Sequence, residues 1–248
     1  MRRSLLRLST LVILIAPVSH GQTLNAAKSY FDRGLTSYAK GELDKAIDDF
    51  GVAIKFYPGY AAAYYNRGNA KRAGKDLDGA IADYTSAIEI NPRFIEAYAN
   101  RGAARFVQGD LDGAVVDCGQ AISINPRLAD PYNTRGLARH SQGDLTGAVA
   151  DFSRAVGVDR RYAIAYFNRG GVLYDKGDLD GAIADFSRAI KLNPHLALAY
   201  ANRGLTKLLQ GRIDEAGRDF DQCLKLDESL RPLLAERVKE TRRALTPR

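Results

Sequence analysis

The chain has 248 residues, 46% of them hydrophobic and 26% charged, a balance that excludes a disordered or collagen-like chain and fits a folded, soluble body. Its formal charge of +7 comes from the two ends, with Arg2, Arg3 and Arg7 at one and six basic residues against Glu236 and Glu240 in 231–248 at the other. Residues 22–230 carry equal numbers of acidic and basic side chains, so the basic stripe expected of a nucleic-acid binder is missing from the body.

The first segment reads as a signal peptide over 1–21. A positive stretch, Met1 to Arg7, precedes an apolar one, Leu8 to Val18, and Ser19 and Gly21 are small residues suited to cleavage after Gly21. The apolar stretch is shorter than the roughly 20 residues a spanning helix needs. The expectation is an exported protein, periplasmic or secreted, with no stable membrane insertion once the signal is removed.

From residue 27 the chain is periodic. Arg-Gly recurs at 33, 67, 101, 135, 169 and 203, and alanine at 46, 80, 114, 148, 182 and 216, always 34 apart. An unbroken period of this length means a stack of supersecondary units, each burying its apolar face on its neighbours. Within 61–94, Tyr64 and Gly68 open one helix and Gly74 to Asp76 breaks it. Leu77, Ala80, Ile81, Tyr84, Ala87 and Ile88 recur at the i+3, i+4 and i+7 spacing of a second amphipathic helix, and Asn91-Pro92 ends that one. The units are 27–60, 61–94, 95–128, 129–162, 163–196 and 197–230, each a helix A, a tight turn, a helix B and a loop. Residues 231–248 read as a last helix and basic tail, with Leu233, Leu234, Arg237 and Val238 covering the sixth unit.

Numbered 1–34 within each unit, position 4 is always Tyr (30, 64, 98, 132, 166, 200), and position 8 is always Gly. Position 24 is Phe50, Tyr84, Cys118, Phe152, Phe186 and Phe220, position 27 is Ala except for Cys223, and position 32 is mostly Pro. In these positions the chain resembles the tetratricopeptide-repeat (TPR) family. The resemblance implies an all-α fold: a right-handed α-solenoid of six 34-residue helix-turn-helix repeats with a C-terminal capping helix. Small residues at 8, 20 and 27 allow close helix approach, and the aromatics fill the core beside them. Cys118 and Cys223 fall at core positions three repeats apart, beyond disulfide reach, and read as buried free thiols.

Two charged rows run in phase. Position 7 is Arg in all six repeats, and position 23 is Asp49, Asp83, Asp117, Asp151, Asp185 and Asp219. They suggest a repeated ion pair between helices A and B, since the planar guanidinium matches a carboxylate. Position 11 holds Lys71, Arg105, Arg139 and Lys207, whose stems are expected to pack while the heads reach water.

The resemblance implies that helices A line a concave surface with positions 2, 5, 6, 9, 12 and 13. Position 6 reads Asp32, Asn66, Asn100, Thr134, Asn168 and Asn202. Asn is a poor helix former and carries both a donor and an acceptor, enough to grip one peptide unit. The row is similar to the Asn ladder in the repeat region of O-linked N-acetylglucosamine transferases. Tyr65, Phe106, Phe167 and Tyr174 supply aromatic contacts beside it. The alternative family mode, a carboxylate clamp for chaperone tails, needs Lys and Asn where Phe31 and Leu35 stand, and only Asn66 matches. Three scattered histidines, and the lack of a phosphate loop or a paired-Cys site, assemble no catalytic or metal centre. No enzyme activity, cofactor or metal is therefore expected. The expected function is a scaffold that holds a protein or an extended peptide in the concave groove. The alternative is a structural subunit or adaptor of a cell-envelope complex that docks through its convex face or its tail. Partner identity and oligomeric state are not written in the sequence.

Overall fold

The computed structural model describes residues 20–245; the expected signal segment lies outside them except for its last two residues. Among the described residues there are thirteen α-helices and no strand. The first twelve form six pairs: α1 (His20–Ala39) with α2 (Leu43–Phe56), α3 (Ala61–Ala73) with α4 (Leu77–Ile90), and α5 (Ile95–Gln108) with α6 (Leu111–Ile124). Then come α7 (Ala129–Ser141) with α8 (Leu145–Val158), α9 (Ala163–Asp175) with α10 (Leu179–Leu192), and α11 (Ala197–Leu209) with α12 (Ile213–Leu226). A 3₁₀ turn, Glu228–Leu230, leads into α13 (Arg231–Leu245). Helix α1 begins seven residues ahead of the repeat boundary at 27, so the expected cut after Gly21 falls in its first turn. No described helix is long and apolar enough to cross a membrane.

Each pair packs on itself and on the next. Helices A of successive repeats also approach one another, α5 to α7, α7 to α9 and α9 to α11, whereas no two helices B do so to that extent. The stack therefore curves with helices A on its inner side. The short period is made possible by glycine. A Cβ at Gly136 would sit 2.8 Å from the Phe152 ring and one at Gly68 2.8 Å from the Tyr84 ring, too close for any L side chain. Phe50, Tyr84, Phe152 and Phe186 are fully buried against these glycines, each worth about 2–3 kcal/mol of apolar burial.

The turns have a chemical cause as well. Asp76, Asp110, Asp144 and Asp178 cap helices B by accepting from the backbone N–H of the glycine three residues on, which satisfies one of the orphan donors of a helix start. In all six repeats the residue before the N-cap position of helix B has positive φ. Glycine takes that place at 41, 109, 143, 177 and 211, and Lys75 stands there alone with a side chain, at φ 68°.

All six Arg–Asp pairs of positions 7 and 23 form. Arg101 Nε and Nη2 lie 2.8 and 2.7 Å from the Asp117 oxygens. Arg67, Arg135, Arg169 and Arg203 make the same two-pronged contact with Asp83, Asp151, Asp185 and Asp219, and Arg33 contacts Asp49. Each guanidinium also lies over the ring of the position-4 tyrosine, 4.5 Å from the centroid for Arg33 on Tyr30 and 5.5 to 5.7 Å in the other five. Some reach the repeat before: Arg101 Nη1 donates to Thr85 Oγ1 at 3.0 Å, and Arg169 and Arg203 donate to Ser153 and Ser187.

The position-11 side chains correct the sequence-based expectation. Their heads do not reach for water. Lys71 Nζ lies 2.8 Å from Asp83, Arg105 Nη1 2.9 Å from Asp117, Arg139 Nη1 2.8 Å from Asp151 and Lys207 Nζ 2.9 Å from Asp219. Position 11 lies one helical turn beyond position 7 on the same face, so both cations meet the one buried carboxylate. Cys118 and Cys223 are free and buried.

Candidate functional site: the concave face

The inner face is built from the groove positions of helices A. The residues expected to contact a ligand do lie on these helices and are half-buried, but the asparagines are tied into the repeats. Asn100 Nδ2 donates to the Tyr65 hydroxyl at 3.0 Å and to Asn69 Oδ1 at 2.9 Å. Asn69 Oδ1 also accepts from the Tyr84 hydroxyl at 2.8 Å. A polar chain thus runs from the core aromatic of repeat two to the groove of repeat three. Asn168 Nδ2 donates to Asn133 Oδ1 at 2.9 Å, and Asn66 Nδ2 donates to the Ala62 carbonyl of its own helix at 2.8 Å. Asn69 and Asn133 carry no signal in the sequence because Asn occurs once at each of their positions. Only the neighbouring repeat makes them partners.

The aromatic residues serve two roles. Tyr65 packs its ring on Tyr84 and Phe94, and Phe167 packs on Phe186. Their undersides are core and their upper edges are groove. Phe106 is half-buried on α5.

Several hollows open on this face. One, about 400 Å³, brings together Tyr65, Asn100 and Thr134 from three successive repeats. Glu96, Asp130 and Tyr162 stand at its walls and Ala99 and Ala103 on its floor. The Tyr162 phenol titrates well above its ordinary value because it is buried and because the Asp130 carboxylate stands close to it. Another, about 170 Å³, is lined by Gly171, Tyr174, Asp175 and Asn202, with Arg237 of α13 at its edge. The structure therefore gathers Tyr65, Asn100 and Thr134 at one end and Tyr174 and Asn202 at the other. Asn66, Asn168, Phe106 and Phe167 lie apart from both groups.

Helix α13 caps the sixth repeat in an unexpected place. It rests against α11 more than against α12. Leu234 and Thr241 are buried and Val238 is half-buried, whereas Leu233, expected on the covered side, is 55% exposed. The spacing 234, 238, 241 defines the face that packs, and Leu233 stands at its edge, beside an open hollow shared with Leu198 and Ala201 of α11. As a consequence Ala201, Leu205 and Leu208, groove positions of α11, are buried. The chain's own last helix covers the inner face at that end.

Paired helices stacked in register, with a polar and aromatic inner face, define a helical-repeat scaffold. The TPR repeat model matches residues 68–109, 136–177 and 170–211, and the tetratricopeptide repeat model matches 197–230. Together these span more than half of the chain, which belongs to the tetratricopeptide-repeat family. Proteins of this family serve as scaffolds for protein–protein contact. Among solved structures, MamA is similar over 65% of this chain and 95% of its own, at 27% identity and TM-score 0.61. YrrB, described as a TPR protein with an unusual peptide-binding site, is similar over 77% of this chain and 97% of its own, at 24% identity and TM-score 0.62. PilF of Pseudomonas aeruginosa is similar over 90% and 99%, at 16% identity and TM-score 0.72. At such identities the last two speak to the fold alone. Among curated proteins none matches.

Proposed function

We propose that this protein is a non-catalytic scaffold that holds an extended segment of another polypeptide in its concave groove. The observation that carries the reading is the hollow of about 400 Å³ in which Tyr65, Asn100 and Thr134 meet from three successive repeats. A hollow of that size, with an alanine floor and a few polar groups at its walls, has the make-up of a ligand site. The amide nitrogens of Asn66, Asn100 and Asn168 are committed inside the chain. The groove therefore offers their carbonyl oxygens to the backbone N–H groups of a bound strand. Export through the 1–21 segment belongs to the same proposal, with the partner in the cell envelope or outside the cell.

The test compares the parent with a variant in which Asn66, Asn100, Asn168 and Asn202 are all changed to Ala, once circular dichroism has shown both to be equally helical. Envelope proteins captured by the parent and lost by the variant are the expected result. Equal capture by both removes the asparagines from the reading and moves docking to the convex face or residues 231–248, as a structural subunit would require. Fractionation of cells for the mature chain tests export; finding it uncleaved in the cytoplasm would end that part.

A further inference from the structure

Repeat three differs from its neighbours on the inner face. Positions 5 and 9 are Phe31 and Leu35 in repeat one, Tyr65 and Asn69 in repeat two, and Ala99 and Ala103 in repeat three. Two missing side chains lower the floor and leave the hollow of about 400 Å³. Its sides are the rings of Tyr65 and Tyr162, and its rim carries the carboxylates of Glu96 and Asp130, one from each of two consecutive helices A. Both carboxylates are exposed. Neither has an ion-pair partner among the described residues, whereas every Asp of the position-23 row is paired.

We propose that this hollow receives a lysine or arginine side chain of the polypeptide held in the groove. The inference rests on the groove reading and names the chemistry of the partner. An alkyl stem would lie on the alanine floor, the tyrosine faces would border the cation, and the two carboxylates would take its N–H groups. An acidic side chain would meet like charge there. At the other end of the groove the hollow at Gly171 has Arg237 of α13 at its edge, but the carboxylate there, Asp175, is already paired with His140.

The experiment is a nuclear magnetic resonance titration of the full chain with two short probes, acetyl-Gly-Ala-Arg-Ala-Gly-amide and its counterpart with Gln in place of Arg. The expected result is that the Arg probe shifts the amides of Ala99, Asn100, Ala103 and Thr134. The Gln probe should bind roughly five- to tenfold more weakly, the scale of two partly exposed ion pairs. In the E96Q/D130N variant, whose isosteric changes lie on exposed side chains, the two probes should bind alike; in the parent their difference should shrink at high salt. If both probes shift concave amides of the parent equally, the cation site is wrong and the groove stands. If the Arg probe keeps its advantage in the double variant, the site is elsewhere. If neither probe shifts any concave amide, the groove reading falls and this inference with it.

Discussion

Replacing Asp117 with Ala should destabilise the solenoid more than the same change at Asp49. Asp117 is 1% exposed and accepts two hydrogen bonds from Arg101 and one from Arg105. Removing its carboxylate leaves two guanidiniums facing each other, and the Arg101 side chain is only 12% exposed. Breaking a buried ion pair by deleting one partner costs about 3–5 kcal/mol. Arg105 has a second acceptor in Asp110, 3.5 Å away, so the lower end of that range, about 3 kcal/mol, is the better figure. For a chain of this size it corresponds to a fall in Tm of roughly 6–12 °C. Asp49 pairs with Arg33, whose side chain is 60% exposed, and water can replace much of what is lost. Thermal melts of both variants by far-ultraviolet circular dichroism measure the difference. If the two Tm values fall equally, or if Asp117→Ala melts within about 2 °C of the parent, the carboxylate row is ornamental and the argument from burial is wrong.

Three further outcomes follow from the same architecture. Lys75 holds a left-handed conformation, φ 68°, at a place where the other repeats have glycine, so Lys75→Gly should raise stability by about 1 kcal/mol, read in a urea melt. Gly119 lies inside α6 with a Cβ position 3.6 Å from Arg135 Nη1, where Thr85, Ser153 and Ser187 accept from the corresponding arginines. Gly119→Ser should therefore add about 1 kcal/mol from helix propensity and a new hydrogen bond, and an unchanged urea midpoint would contradict it. Burial pushes the Cys118 thiol up to about 12, so at pH 8 it stays protonated and shielded. A disulfide reagent should label it only after denaturant is added; fast labelling of the native chain would show that the core opens there.

The sequence by itself determined the fold. A period of 34 with glycine at position 8, aromatics at 4 and 24 and alanine at 20 leaves one way to bury the apolar faces, because each of these positions answers to the same neighbour in every repeat. The Arg and Asp rows were legible for the same reason. What escaped was everything that depends on which neighbour a side chain meets in three dimensions. Position 11 read as a cation bound for water, and only the three-dimensional register shows Lys71, Arg105, Arg139 and Lys207 closing on the carboxylate that position 7 already holds. Asn69 and Asn133 break no pattern, yet they anchor Asn100 and Asn168, since a hydrogen bond depends on a few tenths of an ångström that spacing does not encode. The hollow between Glu96 and Asp130 exists because Ala99 and Ala103 subtract volume, and an absent side chain has no signal until its neighbours are placed around it. The path of α13 was likewise a tertiary decision. Its apolar residues announced a cap, but whether Leu234 or Leu233 would bury, and that the helix would settle on α11, followed from which groove of the sixth repeat was left open.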